Sequence, residues 1–253
     1  MATIRCLDQQ FENIQAVLFD KDGTLANVEN YLWALGEARS HFIDAQVPGI
    51  HHSIMTAFGI TENGIDPTGL MAVGSRCENE IAAAAYVSAT GKGWIDARAL
   101  VSVAFQQAEA SLPEKSLKTP LITGAKRLLH RLKLANIKLG IVSSDTHVEV
   151  ASFVNRYQLS EISWYRGAIA NMPTKTHPDF LAFACREMGT DAKATLIIGD
   201  AASDLQLALQ GSAGFIGMTG GWYYPPSIGL AERSTVDLAI ATVSQLDQVE
   251  SFD

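Results

Sequence analysis

The chain has 253 residues, 47% hydrophobic and 18% charged, enough to bury one large core or a core with an insertion. Its formal charge of −8 and pI near 5.2 argue against nucleic acid and anionic membrane surfaces as partners, both of which need clustered Lys and Arg. No apolar run approaches the ~20 residues of a membrane helix, and the start Met1-Ala2-Thr3-Ile4-Arg5-Cys6 lacks the basic-then-apolar layout of a signal peptide.

In chain order, Cys6 comes first, and with Cys77 and Cys185 it forms an odd, scattered set without a CxxC pair. This usage fits a reducing, cytoplasmic setting and reads as buried structural thiols. The first strong element signal is the apolar run Ala16-Val17-Leu18-Phe19, which leads into Asp20-Lys21-Asp22-Gly23-Thr24-Leu25. Such a run before a Gly-containing turn predicts a buried parallel strand with carboxylates at its carboxyl edge, where open α/β sheets bind ligands. On an extended backbone Asp20 and Asp22 leave on the same side, with Lys21 on the other face and outside the chemistry. Carboxylates this close repel unless a cation lies between them or one holds a proton.

Strand signals then cease until Pro120. Helices are predicted from Val28 to about Gln46, from about Arg76 to Ala89, and from Asp96, a candidate N-cap, to about Ser111. Residues 27–118 thus read as a helical insertion, with 1–26 and 119–253 forming the other domain. Beyond Pro120 strands and helices alternate. Ala125–Leu134 is an amphipathic helix with Asn136 suited to its left-handed terminus, and Lys138–Val142 is a strand ending at Ser143-Ser144. Helices follow over Val148–Tyr157 and Pro178–Met188, the latter with Pro178 near its first turn. Ala194–Ile198 is a strand ending at Gly199-Asp200, Ser203–Gln210 a helix, and Gly214–Met218 a third strand. This alternation predicts βαβ units: an α/β fold with a Rossmann-like parallel sheet core and an inserted α-helical cap domain.

The stretch Asp20-Lys21-Asp22-Gly23-Thr24-Leu25 resembles the DxDGT[LV] motif of the haloacid dehalogenase superfamily. Ser143-Ser144-Asp145 is similar to its second motif, although Asp145 stands where a neutral or basic residue is expected, and a third carboxylate near phosphate is unfavourable unless it points away. Lys175 in Lys175-Thr176-His177-Pro178-Asp179 resembles the third motif, with Thr176 replacing a proline, and Gly199-Asp200-Ala201-Ala202-Ser203-Asp204 matches GDxxxD. Pro120, Gly124, Leu128, Leu129 and Leu132 look like a further family pattern, and the helical insertion corresponds to a type-one cap.

The resemblance implies a Mg²⁺-dependent phosphatase of the phosphoglycolate phosphatase branch, acting on a small phosphorylated metabolite as a monomer or homodimer. It makes Asp20 the nucleophile and Asp22 the general acid and base. It assigns Mg²⁺ to Asp20, the Asp22 backbone carbonyl and Asp200, with Asp204 binding directly or through water. Ser143, the Ser144 N–H and Lys175 would hold the phosphoryl oxygens. The presence of Asp22 disfavours carbon–halogen hydrolysis. In the cap, Gly74-Ser75-Arg76 is similar to a segment of sugar-phosphate members, so Arg76 is either a substrate contact or a surface ion pair. Arg39, His41, His51 and His52 belong to no motif. The alternatives are a β-phosphoglucomutase-like phosphotransferase with the same aspartates and a non-catalytic binding module of the same fold.

Overall fold

The computed structural model describes residues 2–223 and 238–252, and the chain divides into two compact units, 1–27 with 120–253 and 28–119.

The first unit begins with strands β1 (Ala2–Cys6), β2 (Gln9–Ile14) and β3 (Ala16–Phe19). Between β3 and the first helix, the Lys21 carbonyl accepts the N–H groups of Leu25 (2.9 Å) and Ala26 (2.8 Å), folding the chain into a compact turn.

The second unit is mainly helical: α1 (Glu29–Asp44), α2 (His51–Ala57), a two-residue-per-strand hairpin β4 (Ile60–Thr61) and β5 (Gly64–Ile65), then α3 (Leu70–Val73), α4 (Arg76–Ala89), α5 (Trp94–Ser111) and α6 (Lys115–Lys118). The hairpin corrects the expectation that strands are missing here. A Ser75–Glu78 capping box starts α4 by satisfying N–H groups that the first turn leaves open. Helix α5 starts two residues before the expected point: Gly93 is its N-cap, and Asp96 lies in the first turn, where its charge suits the helix dipole. Ala83, Ala84 and Val87 of α4 and Ala97, Val101, Ala104 and Ala108 of α5 are buried, mostly small residues that let helices approach closely, while Phe105 fills the space beside them.

The chain then returns to the first unit through α7 (Ala125–Leu134), β6 (Lys138–Thr146), α8 (His147–Arg156), β7 (Ile162–Ala168), α9 (Phe180–Met188), β8 (Thr195–Gly199), α10 (Ala202–Ala208), β9 (Gly214–Met218), β10 (Ile240–Val243) and β11 (Val249–Phe252). Asn136 has φ 57°, the left-handed terminus its side chain tolerates. Pro178 sits before the first turn of α9 rather than in it, because Asp179 is the N-cap.

Six strands form one sheet in the order β10-β9-β8-β3-β6-β7, with every pairing parallel. This is the expected α/β architecture. β3, β8 and β9 are buried at every residue, as parallel strands covered on both faces must be. Phe19 pairs with Ile141 on one side and with Ile198 on the other. That register brings Asp20, Ser143 and Asp200, each one or two residues further on, to one sheet edge. A second sheet, β11-β1-β2, is antiparallel and joins the two ends of the chain. Cys6 and Cys185 are buried thiols; Cys77, near the start of α4, is exposed, which corrects the reading of all three as buried.

Candidate active site

The strand β3 ends at Phe19, so the extended geometry that would align Asp20 with Asp22 does not continue through the turn. Asp20 is 6% exposed and accepts a 2.8 Å bond from Lys175 Nζ. Asp22 turns elsewhere: its carboxylate accepts from the Lys21 ammonium. Lys21 itself is almost fully buried, its Nζ also 2.8 Å from Asp145 Oδ2. This corrects the expectation that Lys21 points away. It also accounts for Asp145, whose charge is met by a buried ammonium.

Lys175 comes from the loop before α9, and its Nζ reaches Asp204 Oδ1 at 2.9 Å as well as Asp20. Asp204 is placed by the first turn of α10, where its Oδ2 accepts the Ala201 N–H at 3.1 Å. Asp200 follows the end of β8 and is gripped on both oxygens: Thr24 Oγ1 donates to Oδ1 at 2.8 Å, and Trp222 Nε1 donates to Oδ2 at 2.7 Å. Neither Thr24 nor Trp222 stands out as a partner of Asp200 in the sequence. The available signal was Gly220-Gly221 after the apolar run 214–218, since glycine pairs permit close backbone approach. A Cβ at Gly221 would lie 1.6 Å from the Gly23 carbonyl oxygen, and one at Gly23, where φ is +78°, would lie 2.3 Å from Trp222 Nε1. The two loops therefore touch through glycine backbone, and the indole reaches Asp200 over that contact.

One carboxylate oxygen from each of Asp20, Asp200 and Asp204 falls within 4.8 Å of the others, all three residues buried. Three carboxylates around the Lys175 ammonium leave surplus negative charge in a low-dielectric place. Burial therefore pushes the Asp20 carboxyl well above its usual range; Lys175 opposes this, while Asp204 and Asp200 add to it. Asp200 is raised to about 7 by burial and by the charge of Asp204, against the Trp222 and Thr24 bonds that favour its anion. For Lys175, burial works against the charge, but Asp20 and Asp204 outweigh it, so the ammonium titrates above its ordinary range. An all-oxygen donor set carrying surplus charge fits a divalent cation, and a hard one in particular.

On β6, Ser143 is 7% exposed and its Oγ accepts the Asp145 N–H at 3.1 Å. The hydroxyl proton can then point to an acceptor such as a phosphoryl oxygen. Ser144 follows on β6, which runs on to Thr146 and so does not end at Ser143-Ser144 as expected.

A family model for haloacid dehalogenase-like hydrolases matches residues 14–211. The chain belongs to the haloacid dehalogenase-like hydrolase family. Among curated proteins it is 26% identical over 240 residues to a phosphoglycolate phosphatase of Shigella boydii serotype 4 (strain Sb227), covering 90% of each chain. Among solved structures it is similar to a predicted phosphoglycolate phosphatase from Haemophilus somnus 129pt, with a TM-score of 0.63 and 17% identity over 92% of this chain and 95% of that one. A haloacid dehalogenase-like family hydrolase from Streptococcus pneumoniae gives a TM-score of 0.60 at 15% identity, covering 93% and 96%. These structural likenesses carry the fold of the family. Among the described residues no helix is long and apolar enough to cross a membrane.

In the unit 28–119, Arg76 is half-buried, with Nε 2.8 Å from Glu109 and Nη1 2.8 Å from Glu80. Arg39 is buried, shares Glu109 at 3.1 Å and stacks over Phe105 at 4.2 Å. Both arginines thus have partners within their own unit. His51 Nε2 lies 3.1 Å from Glu37, and His41 and His52 are exposed.

Proposed function

We propose that this hydrolase is a Mg²⁺-dependent phosphatase that removes phosphate from a small phosphorylated metabolite through an aspartyl-phosphate on Asp20. The observation that carries the reading is the Lys175 ammonium, 2.8 Å from Asp20 and 2.9 Å from Asp204, beside Asp200 in one buried cluster at the sheet edge. The curated relative, a phosphoglycolate phosphatase, supports the phosphatase class and puts phosphoglycolate first among substrates to try.

Asp20, the Asp22 carbonyl and Asp200 would hold Mg²⁺, with Asp204 as a direct or water-mediated partner. When bound, the ion neutralises carboxylate and phosphate charge that would otherwise repel. Asp20 attacks phosphorus; the new bond is Asp20 oxygen to phosphorus, and the ester P–O bond breaks. Asp22 gives its proton to the departing alkoxide, then takes one from the water that hydrolyses the acyl phosphate, so inorganic phosphate leaves and Asp20 is restored. Lys175 meets the developing charge beside Asp20, while Ser143 and the Ser144 N–H hold phosphoryl oxygens. Arg76 is assigned to substrate selection on the resemblance of its segment.

Phosphate release from a panel of phosphorylated metabolites, with Mg²⁺ and with chelator, tests the reading. Labelled phosphate should also be recovered on acid-quenched enzyme and be missing from Asp20→Asn. Release that survives chelation or Asp20→Asn would overturn it. Hexose phosphate interconversion without phosphate release would identify a phosphotransferase instead, and a metal-dependent fold without turnover a binding module.

A further inference from the structure

Asp145 departs from what the motif around it requires, and the fold puts it in contact with Lys21, which lies between the two aspartates of the first motif. The Lys21 side chain is 1% exposed, against 13% for Asp22 and 14% for Asp145. Its ammonium touches the Asp22 carboxylate, lies 2.8 Å from Asp145 Oδ2, and sits over the Phe153 ring at 5.3 Å from the centroid. A lysine enclosed in this way has little freedom to follow its partners. Of the three, Lys21 is the anchor.

We infer that Lys21 and Asp145 form a fixed clamp that orients the Asp22 carboxylate, which makes Lys21 a positioning residue for the acid–base step. The inference rests on the proposed role of Asp22. A general acid must leave its resting contact to reach the leaving oxygen, and then the water that attacks the acyl phosphate, before it returns. If Asp22 were the sole counterion of a buried ammonium, each departure would strand that charge, a heavily disfavoured state. Asp145 stays with Lys21 throughout, so the contact with Asp22 is reversible. The same pairing screens Asp145 from a phosphoryl group held by Ser143, two residues away, which removes the conflict its position raised. Asp145 also donates its N–H to Ser143 Oγ at 3.1 Å, tying the clamp to the last residues of β6 that are proposed to hold phosphate.

Two variants test this, read on p-nitrophenyl phosphate, whose leaving group needs no acid, and on glycerol 2-phosphate, whose leaving group does. Lys21→Met with Asp145→Asn deletes the clamp without changing the net charge of the group. Asp145→Asn alone, at a less buried site, leaves the ammonium dependent on Asp22. Both should fold, as checked by circular dichroism. Both should lose about tenfold or more in kcat on glycerol 2-phosphate and no more than about threefold on p-nitrophenyl phosphate. In an Asp22→Ala background the double change should add no further loss on either substrate, because coupled residues are not additive. Equal losses on both substrates, further losses without Asp22, or wild-type rates in the clamp variants would each overturn the clamp. Asp22→Ala with no leaving-group discrimination would instead sink the acid–base reading, and the clamp with it.

Discussion

The indole N–H of Trp222 donates to Asp200 Oδ2 at 2.7 Å, while Thr24 holds the other oxygen of the same carboxylate at 2.8 Å. Groups that orient a metal-binding carboxylate typically change metal affinity by roughly 10–100-fold when removed. Trp222→Phe keeps the ring and loses the donor. It should weaken Mg²⁺ binding by about tenfold or more in calorimetry. The wild-type indole should report the same event, since its partner changes charge environment on binding. A Mg²⁺-dependent change in tryptophan fluorescence that persists in the variant would place the reporter elsewhere.

Asp20→Asn preserves side-chain volume at the end of β3 and removes the attacking charge. Turnover should fall by roughly a thousandfold or more with a melting temperature close to wild type. Near-normal hydrolysis by the folded variant would exclude attack by Asp20.

Lys175→Met removes the ammonium that bonds Asp20 and Asp204. The carboxylates are then left buried without it, a loss of about 3–5 kcal/mol for a broken buried pair. Denaturant unfolding in chelator should show this loss, and Mg²⁺ should restore much of it. Stability independent of both the substitution and the metal would mean that the cluster does not carry its charge.

The raised carboxyl of Asp200 gives a pH dependence with a definite sign. Its folded value of about 7 lies above the ordinary 3.8, so the folded state holds a proton that the unfolded chain has released between these values. Stability from this group is therefore present in acid, falls as pH rises from about 4 to about 7, and levels off above that. Mg²⁺ bound at Asp200 would displace the same proton, so its stabilising effect in thermal melts should be larger at pH 8 than at pH 6. The opposite trend would contradict the assignment of surplus negative charge to this cluster.

Arg76 bonds Glu109 and Glu80 within the unit 28–119. As a partly exposed ion pair its removal should cost about 1 kcal/mol or less. If it also meets substrate, Arg76→Ala should lower kcat/KM for the best metabolite about tenfold, the worth of a lost charged hydrogen bond, while p-nitrophenyl phosphate is hardly affected. Equal losses on both substrates would confine Arg76 to structure.

The sequence by itself determined those features whose signal is local. Ala16–Phe19, Thr195–Gly199 and Gly214–Met218 are central strands because short apolar runs bounded by turns are buried on both faces wherever they pair. The helices Arg76–Ala89 and Ala125–Leu134 were legible from propensity and periodicity. The carboxylates Asp20, Asp200 and Asp204 stood in motifs that mark strand ends, and parallel register carries such ends to one edge. Tertiary structure alone decided where side chains turn after a strand stops. Alternation placed Lys21 on the far face, but β3 ends one residue before Asp20, and the turn sends Lys21 into the interior to Asp22 and Asp145. Strands β1, β2 and β11 passed unmarked because polar residues interrupt their few apolar ones, and their pairing joins residues from the two ends of the chain. Trp222 and Thr24 converge on Asp200 from 22 and 176 residues away. No local pattern encodes such meetings, because they depend on which loops approach closely enough, and here that approach exists only because Gly23 and Gly221 carry no side chain.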